Sequence, residues 1–447
     1  MSSTGTYAPS GALTEPASAN ALVAAVILGL FVLAAILSAA RKDITQGFDE
    51  VAHTSYVAHI QHTGDAWPAL KDMRLIDPQT FQFTGQANYL NHPPMFYALL
   101  AALGPTIQGR PQALFALRLI DIAIAAIGFA ALLGLGIAAR FSRHEFYAYA
   151  IPLACIPVLA PIAGAVNNDN LAFLGGAVAM LGAWQLAANA VPAVPPERGR
   201  VDSRIWLAVA LIGVIAAASA KLTGLLLTGT MVGVVIAYLV WRRRLPWSYT
   251  IVAVFAFALA AAPYAIYTLQ YGSPTPQTPA QLALIAEGAR AAGWTELPRK
   301  SFSGYLVYFV GAFIADWMPT LGARSAFNDA MLAIPVAALA LAFAGFALSL
   351  RRLWRRHESA LDVVVIAGTL AIAATFAIHV SYSYGRYAAT GWLMDAYPRY
   401  YLPLAAIVPL AGLSLRAAIE APRWRTGLLA FLIAGPVIFR IFGAPLG

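Results

Sequence analysis

The chain has 447 residues, 60% of them hydrophobic and 11% charged, with a net charge of +9. A soluble domain is about 45–50% apolar and about 25% charged. That contrast excludes a soluble enzyme and a disordered chain, and a single cysteine, Cys155, excludes a disulfide scaffold. Apolar runs of roughly 20 residues also exclude a transmembrane β-barrel and specify a polytopic α-helical membrane protein.

In chain order, residues 1–20 carry no Lys or Arg and read as a cytoplasmic N-tail before a retained span at 21–40. Further spans are expected at 113–139, 147–165, 170–190, 205–220, 222–240, 249–269, 330–350, 361–380, 400–417 and 427–444, which makes eleven. The 205–240 stretch is too long for one span and breaks at Lys221–Gly224, so two helices meet there at a tight turn. Of the 29 basic residues, 15 fall in the short segments 140–143, 198–204, 242–244, 351–356 and 416–425, all on the side of the N-terminus. The positive-inside rule makes that side cytoplasmic. Arg41 and Lys42 follow the first span on the other side and are outvoted by this sum. The basic balance is thereby a matter of topology. No basic stripe interleaves with aromatics, so nucleic acid is not an expected partner.

The bulk outside the bilayer is then extracytoplasmic, at 41–112, 270–329 and 381–399. Residues 93–104 are apolar but too few to span, which suits an interfacial or re-entrant helix. Gly304–Trp317 reads as a second one.

Charges near a membrane are costly and are functional candidates by default. Four groups gather at outer helix ends. Asp49 and Glu50 stand side by side before His53; adjacent carboxylates repel, and one with a raised pKa suits a general base, although a solvated acidic turn would read the same. Asn167-Asn168-Asp169-Asn170 starts a span, where one side chain suffices as a cap and four suggest hydroxyl or metal binding. His92 precedes Pro93-Pro94 at the interfacial helix. Lys221, Arg386 and Arg399 (in Pro398-Arg-Tyr400-Tyr-Leu-Pro403) are cations that snorkel, pair with a carboxylate or hold a phosphate. Asp49 and Asp169 are also candidate ligands for Mg²⁺ or Mn²⁺ on ligand type. His59 and His62 have helical spacing that would serve a metal but more often simply hydrogen-bond. Arg118 and Asp121 share a helix face and read as a structural intramembrane pair.

The order of FDEVAH (48–53), NHPPMFY (91–97), ALRL (116–119), NDNLA (168–172) and RYYLP (399–403) resembles the GT-C superfamily of integral-membrane glycosyltransferases. Within it the chain is most similar to the family 39, protein O-mannosyltransferase-like and aminoarabinose-transferase-like group. The likeness is good over residues 20–180 and rests beyond that on topology and the Lys221 and Arg399 segments. It implies an all-α GT-C fold of about eleven transmembrane helices, with interfacial helices in the first large extracytoplasmic loop. It also implies a multi-pass protein of the cytoplasmic (inner) membrane, with its active site facing the exterior. The implied donor is a polyprenyl-phosphate sugar, and the implied acceptor a hydroxyl on a glycan, a lipid or a protein. By motif, Asp49 would be the base, supported by Glu50, in an inverting single displacement. Asp169 matches the second acidic position, and Lys221 and Arg399 would stabilise the leaving lipid phosphate. Asn168, His53, His92, Arg386 and Tyr400 would complete the substrate site. The family's Gly-Lys after His-Pro-Pro is replaced by Phe96-Tyr97, and no large soluble domain follows, which argues against a protein acceptor.

By organisation, residues 21–190 form the GT-C-type module and 191–444 a variable transmembrane module, within one membrane domain. The competing reading is a transporter or flippase for a lipid-linked or anionic solute. It would need ionisable groups near mid-membrane and matching halves.

Overall fold

The computed structural model describes residues 17–191, 202–315, 331 and 333–442. Helices α1 (Ala17–Arg41) and α4 (Ala113–Ala138) flank the first loop, which holds α2 (Glu50–Thr63) and α3 (Met95–Leu103). Then follow α5 (Arg143–Ala154), α6 (Leu159–Ala163), α7 (Asp169–Ala190), α8 (Ser203–Ala220), α9 (Leu222–Trp241) and α10 (Ser248–Tyr271). Two short helices, α11 (Pro279–Ala291) and α12 (Phe302–Ala315), precede α13 (Ala333–Trp354) and α14 (Ala360–Thr390). The bundle ends with α15 (Ile407–Ala418) and α16 (Pro422–Phe442).

Nine of the described helices are long and apolar enough to cross a membrane, and the 3₁₀ turn Pro398–Leu404 with α15, bent by 60°, makes a tenth if the pair counts as one span. The expected span at 147–165 is instead broken into α5 and α6, with Pro152 inside α5 and residues 155–158 outside helix. The pair lies alongside α1. At one end Asn20 Nδ2 donates to the Phe141 carbonyl at 2.8 Å. At the other, Gly164 sits against the backbone of Ala35 and Ala39. An all-α polytopic membrane architecture with nine to ten apolar spans among the described residues is therefore observed, against the eleven expected.

The first loop differs from the expectation in one respect. It contains a small antiparallel hairpin, β1 (Arg74–Ile76) with β2 (Phe83–Ala87), that no sequence pattern signalled. Helix α3 has the form expected of an interfacial helix. Its Met95, Leu99 and Leu103, spaced four apart, are exposed as an apolar stripe, while Phe96, Tyr97 and Leu100 are buried. The helix expected over Gly304–Trp317 is present as α12, with Trp317 outside the described residues.

Ion pairs mark the two ends of the bundle. One end holds Lys42, Glu50, Arg118, Asp169, Lys221 and Arg399. The other holds Arg242 and Arg244 with Glu358, Arg352 with Asp362, and Arg416 with Glu145. These loop arginines, part of the charge bias, thus lie at the end opposite the candidate site.

Small residues let α7 run at the centre. A Cβ at Gly175 or Gly182 would overlap the α8 backbone, and one at Gly176 would overlap Pro403. Gly176 matters for the site, because Pro403 belongs to the turn that carries Arg399. Overpacking of this kind costs about 1–3 kcal/mol. We expect Gly176→Val to lower the thermal midpoint in detergent by several degrees. Gly29→Val, which meets nothing within 4 Å, should leave it unchanged.

Candidate active site

The site begins with a turn. Between α1 and α2, Gly47, Phe48 and Asp49 all have left-handed backbones, with φ of 84°, 62° and 58°. For the two non-glycine residues this costs about 1–2 kcal/mol each, and the surroundings hold them there. The Phe48 ring has Lys42 Nζ 4.7 Å and the Arg399 guanidinium 5.6 Å from its centroid. The Phe48 carbonyl accepts from Asn167 Nδ2 at 2.8 Å. The turn separates two adjacent acids. The Asp49 side chain is 45% exposed, while Glu50 is sealed inside.

Glu50 does not support Asp49 in the way the pairing of acids suggests. Its Oε1 accepts from Arg118 Nε at 2.7 Å and from the Val166 amide at 2.9 Å. Its Oε2 accepts from Arg118 Nη2 at 2.8 Å and Lys42 Nζ at 3.1 Å. Arg118 Nη1 also donates to the Ala39 and Lys42 carbonyls. All of this corrects the expected Arg118–Asp121 pair: Arg118 turns to Glu50, and Asp121 Oδ2 accepts the Asn167 amide at 2.9 Å.

The Asn167–Asn170 run is a set of braces. Asn167 Oδ1 accepts the Asp169 amide at 2.8 Å, which directs its amide nitrogen to the Phe48 carbonyl and to His53 Nε2 at 3.3 Å. That nitrogen of His53 is therefore the acceptor, and Nδ1–H donates to Tyr97 Oη at 2.9 Å. Asn168 Nδ2 donates to the Ala220 carbonyl at 2.8 Å, just before Lys221. Asn170 donates to Ile162 and Ala165.

Lys221 occupies the break between α8 and α9, in extended backbone, as the sequence predicts. Its Nζ pairs with Asp169 Oδ1 and lies 4.1 Å from the centre of the Tyr400 ring. Arg399 lies between two acids. Its Nη2 is 3.4 Å from Asp49 Oδ2, and its Nε is 3.7 Å from Asp169 Oδ2. Tyr89 Oη donates to Asp49 Oδ1 at 3.1 Å.

These groups border a cavity of about 310 Å³. Asp49, His92, Lys221, Arg386, Arg399 and Tyr400 line it. Glu50, His53, Asn168 and Asp169 stand behind its wall: Asp169 is covered by the cations it neutralises, and the other three brace the chain. Tyr89, Thr375, His379, Tyr382, Trp392 and Asp395 also line it and were not singled out from sequence. Of these, only Asp395 carried a signal, as a carboxylate four residues before Arg399.

The donor set does not fit a metal ion. Each of the two proposed ligands, Asp49 and Asp169, already faces Arg399, and Asp169 also faces Lys221. A divalent cation placed there would meet two fixed positive charges. Among the described residues no group of three His, Cys, Asp or Glu could hold one. His59 and His62 do not converge on a metal; both set their rings edge-on to Phe83.

No protein-family model matches the chain, and no curated protein is significantly similar to it. Among solved structures it is similar to an Archaeoglobus fulgidus oligosaccharyltransferase, at 14% identity and a TM-score of 0.47, over 94% of this chain and 56% of that one. It is also similar to ArnT from Cupriavidus metallidurans without ligand, at 13% identity and a TM-score of 0.47, over 92% and 62% of the two chains. A second ArnT structure, with undecaprenyl phosphate bound, gives 15%, 0.47, 90% and 61%. The chain thus spans about three-fifths of the length of these structures.

Burial holds His92 down to about 3, and burial followed by the charge of Arg399 holds His53 well below its usual value. In the unfolded chain both titrate near 6.5. Below that pH the unfolded state binds protons the folded state refuses, so stability is lost as pH falls from about 6.5 towards 3. We expect the thermal midpoint to decline over that window, and less steeply in His92→Gln. Removing the Glu50 charge should act on the fold itself. Glu50→Gln leaves Lys42 and Arg118 buried without a counter-ion, a loss of about 3–5 kcal/mol for a broken buried pair, readable as failure to purify as a folded monodisperse protein.

Proposed function

We propose that the chain is a glycosyltransferase that moves a sugar from a polyprenyl-phosphate-linked donor to a hydroxyl acceptor. The observation that carries this reading is the juxtaposition of one exposed carboxylate, Asp49, with two fixed cations, Lys221 and Arg399, around one cavity. A transfer of this kind needs those two functions side by side. A base must take the acceptor proton, and positive charge must meet the leaving phosphate.

In the proposed step the acceptor O–H gives its proton to Asp49. Its oxygen attacks the anomeric carbon from the face opposite the phosphate. The bond from that carbon to the phosphate oxygen breaks, and its electron pair leaves with the lipid phosphate. The product is inverted at the anomeric carbon. Tyr89 holds one Asp49 oxygen, which leaves Oδ2 beside Arg399 for the reacting proton. Asp169 holds Lys221 and Arg399 in position from behind the wall.

The arginine-rich loops occupy the opposite end of the bundle, which under the positive-inside rule supports an extracytoplasmic site on the cytoplasmic membrane. Residues 21–190 contribute the acids and 191–444 the cations, so the two expected modules would act as one unit. The exposed stripe of α3, next to His92, suits contact with the lipid surface near the cavity.

The test is transfer from polyprenyl-phosphate sugars by the purified protein in lipid nanodiscs. Asp49→Asn should fold normally, since its side chain is half exposed, and lose roughly 10²–10⁴-fold in rate as a missing general base does. Arg399→Lys should also fail, because a point charge does not replace a planar fork. Full activity of Asp49→Asn would overturn the mechanism. Vectorial lipid movement that survives Asp49→Asn, with no transfer, would favour the transporter.

A further inference from the structure

The cavity has a second end that the reaction above does not use. Thr375, His379, Tyr382, Ser383 and Arg386 recur along one face of α14 at helical spacing, and all five line the cavity. Asp395, on the loop after α14, closes this end. Its Oδ1 accepts from Arg386 Nη1 at 3.2 Å and from Trp392 Nε1 at 3.1 Å. His379 Nε2 meets the Asp395 carbonyl at 2.8 Å and fixes the loop.

Three lining residues here hold a buried polar atom without a partner. They are Asp395 Oδ2, Arg386 Nε and Thr375 Oγ1. An unpaired buried polar atom costs about 1–3 kcal/mol, so three on one wall call for a ligand that supplies both donors and acceptors. A phosphate supplies only acceptors and would be repelled by Asp395. Several hydroxyl groups on one ring supply both. The Tyr400 ring separates the two ends, with Lys221 Nζ 4.1 Å from its centre and the His379 ring 5.6 Å away. At about 310 Å³ the whole cavity is at the small limit for ligand sites, about 300–1,000 Å³. That is room for one ring and its phosphate.

We propose that this end is the sugar subsite of the donor, where Asp395, Arg386 and Thr375 take the hydroxyls of a single neutral ring. It rests on the reading of Lys221 and Arg399 as the phosphate site. The sugar's identity would then be read by α14 and the loop after it, and the lipid phosphate by the cations.

The probes are undecaprenyl phosphate alone and undecaprenyl phosphate carrying glucose, galactose, mannose or arabinose, bound to the full chain in nanodiscs. The wild type should hold at least one sugar-bearing lipid about tenfold or more tighter than undecaprenyl phosphate, the discrimination expected of a site built to pair hydroxyls. Asp395→Asn and Thr375→Val should each remove that preference and change undecaprenyl phosphate binding by less than about twofold. Thr375→Val should do so with an unchanged or higher thermal midpoint, because the hydroxyl it removes has no partner in the free protein. A purely structural role would instead weaken both kinds of lipid together, and that result would overturn the subsite. A wild type that binds undecaprenyl phosphate but no sugar-bearing lipid more tightly overturns the subsite and leaves the phosphate reading standing. A wild type that binds neither overturns both.

Discussion

A carboxylate buried in a bundle that lipid surrounds has no water to answer it, so every lone pair must find a donor within the protein. Glu50 meets that condition in full, and the site depends on it. Its four hydrogen bonds come from the end of α1 (Lys42), from α4 (Arg118) and from the backbone just before α7 (Val166). Arg118 then returns to the carbonyls that end α1. One side chain therefore fixes where three helices stand relative to the start of α2. The neighbours of each anchor are the site residues: Asp49 precedes Glu50, and Asn167 to Asp169 follow Val166. A charge of this kind is weak evidence for stability, because its desolvation offsets its pairing. It is strong evidence for position, since breaking it leaves two buried cations unanswered.

The strained turn follows from that anchor. With Glu50 drawn inward and Phe48 clamped between Lys42 and Arg399, the backbone of 48–49 has to turn left-handed to carry the chain from one to the other. Strain at two consecutive non-glycine residues persists only where the surroundings over-determine it. Here it performs a sorting: two adjacent acids of the same chemistry are sent to opposite environments. The exposed one faces the cavity, and the sealed one holds the scaffold.

Much of this was legible in the sequence, and what was not has a physical reason. Span lengths and the arginine bias follow from hydropathy, which is local, so nearly every crossing falls where the composition puts it. The segment 143–163 departs because its prolines break the helix. Asp49, Lys221, Arg399, His92, Arg386 and Tyr400 do line one cavity, as outer-end polar groups on a common side should. The roles of Glu50 and Arg118 were not legible, because Asp121 is Arg118's helical neighbour and Glu50 is 68 residues away. Asn168 and Asp169 look like ligand groups in sequence and are braces in space, a difference that depends on the cations packed in front of Asp169. Thr375 was invisible because a lone threonine in an apolar helix has no signature of its own, and Asp395 showed only as a carboxylate four residues before Arg399. What distinguishes them is a missing partner, and partners are a property of the fold.

The arrangement of charge around Arg399 shows why the site needs two acids in two places. Lys221 and Arg399 together carry two positive charges, and Asp169, sealed behind them, removes one. The wall then presents one net positive charge, plus the exposed Asp49 that Arg399 also touches. With no anionic ligand, Asp49 balances that charge, and the site is neutral at the edge of a low-dielectric bundle. A lipid phosphodiester would bring its own negative charge and compete for Arg399. To the extent that it succeeds, Asp49 loses its counter-ion. On the proposed reading, donor binding thus releases Asp49 from Arg399. The difference in burial sets the two acids apart, Asp169 sealed behind the cations and Asp49 open to the cavity.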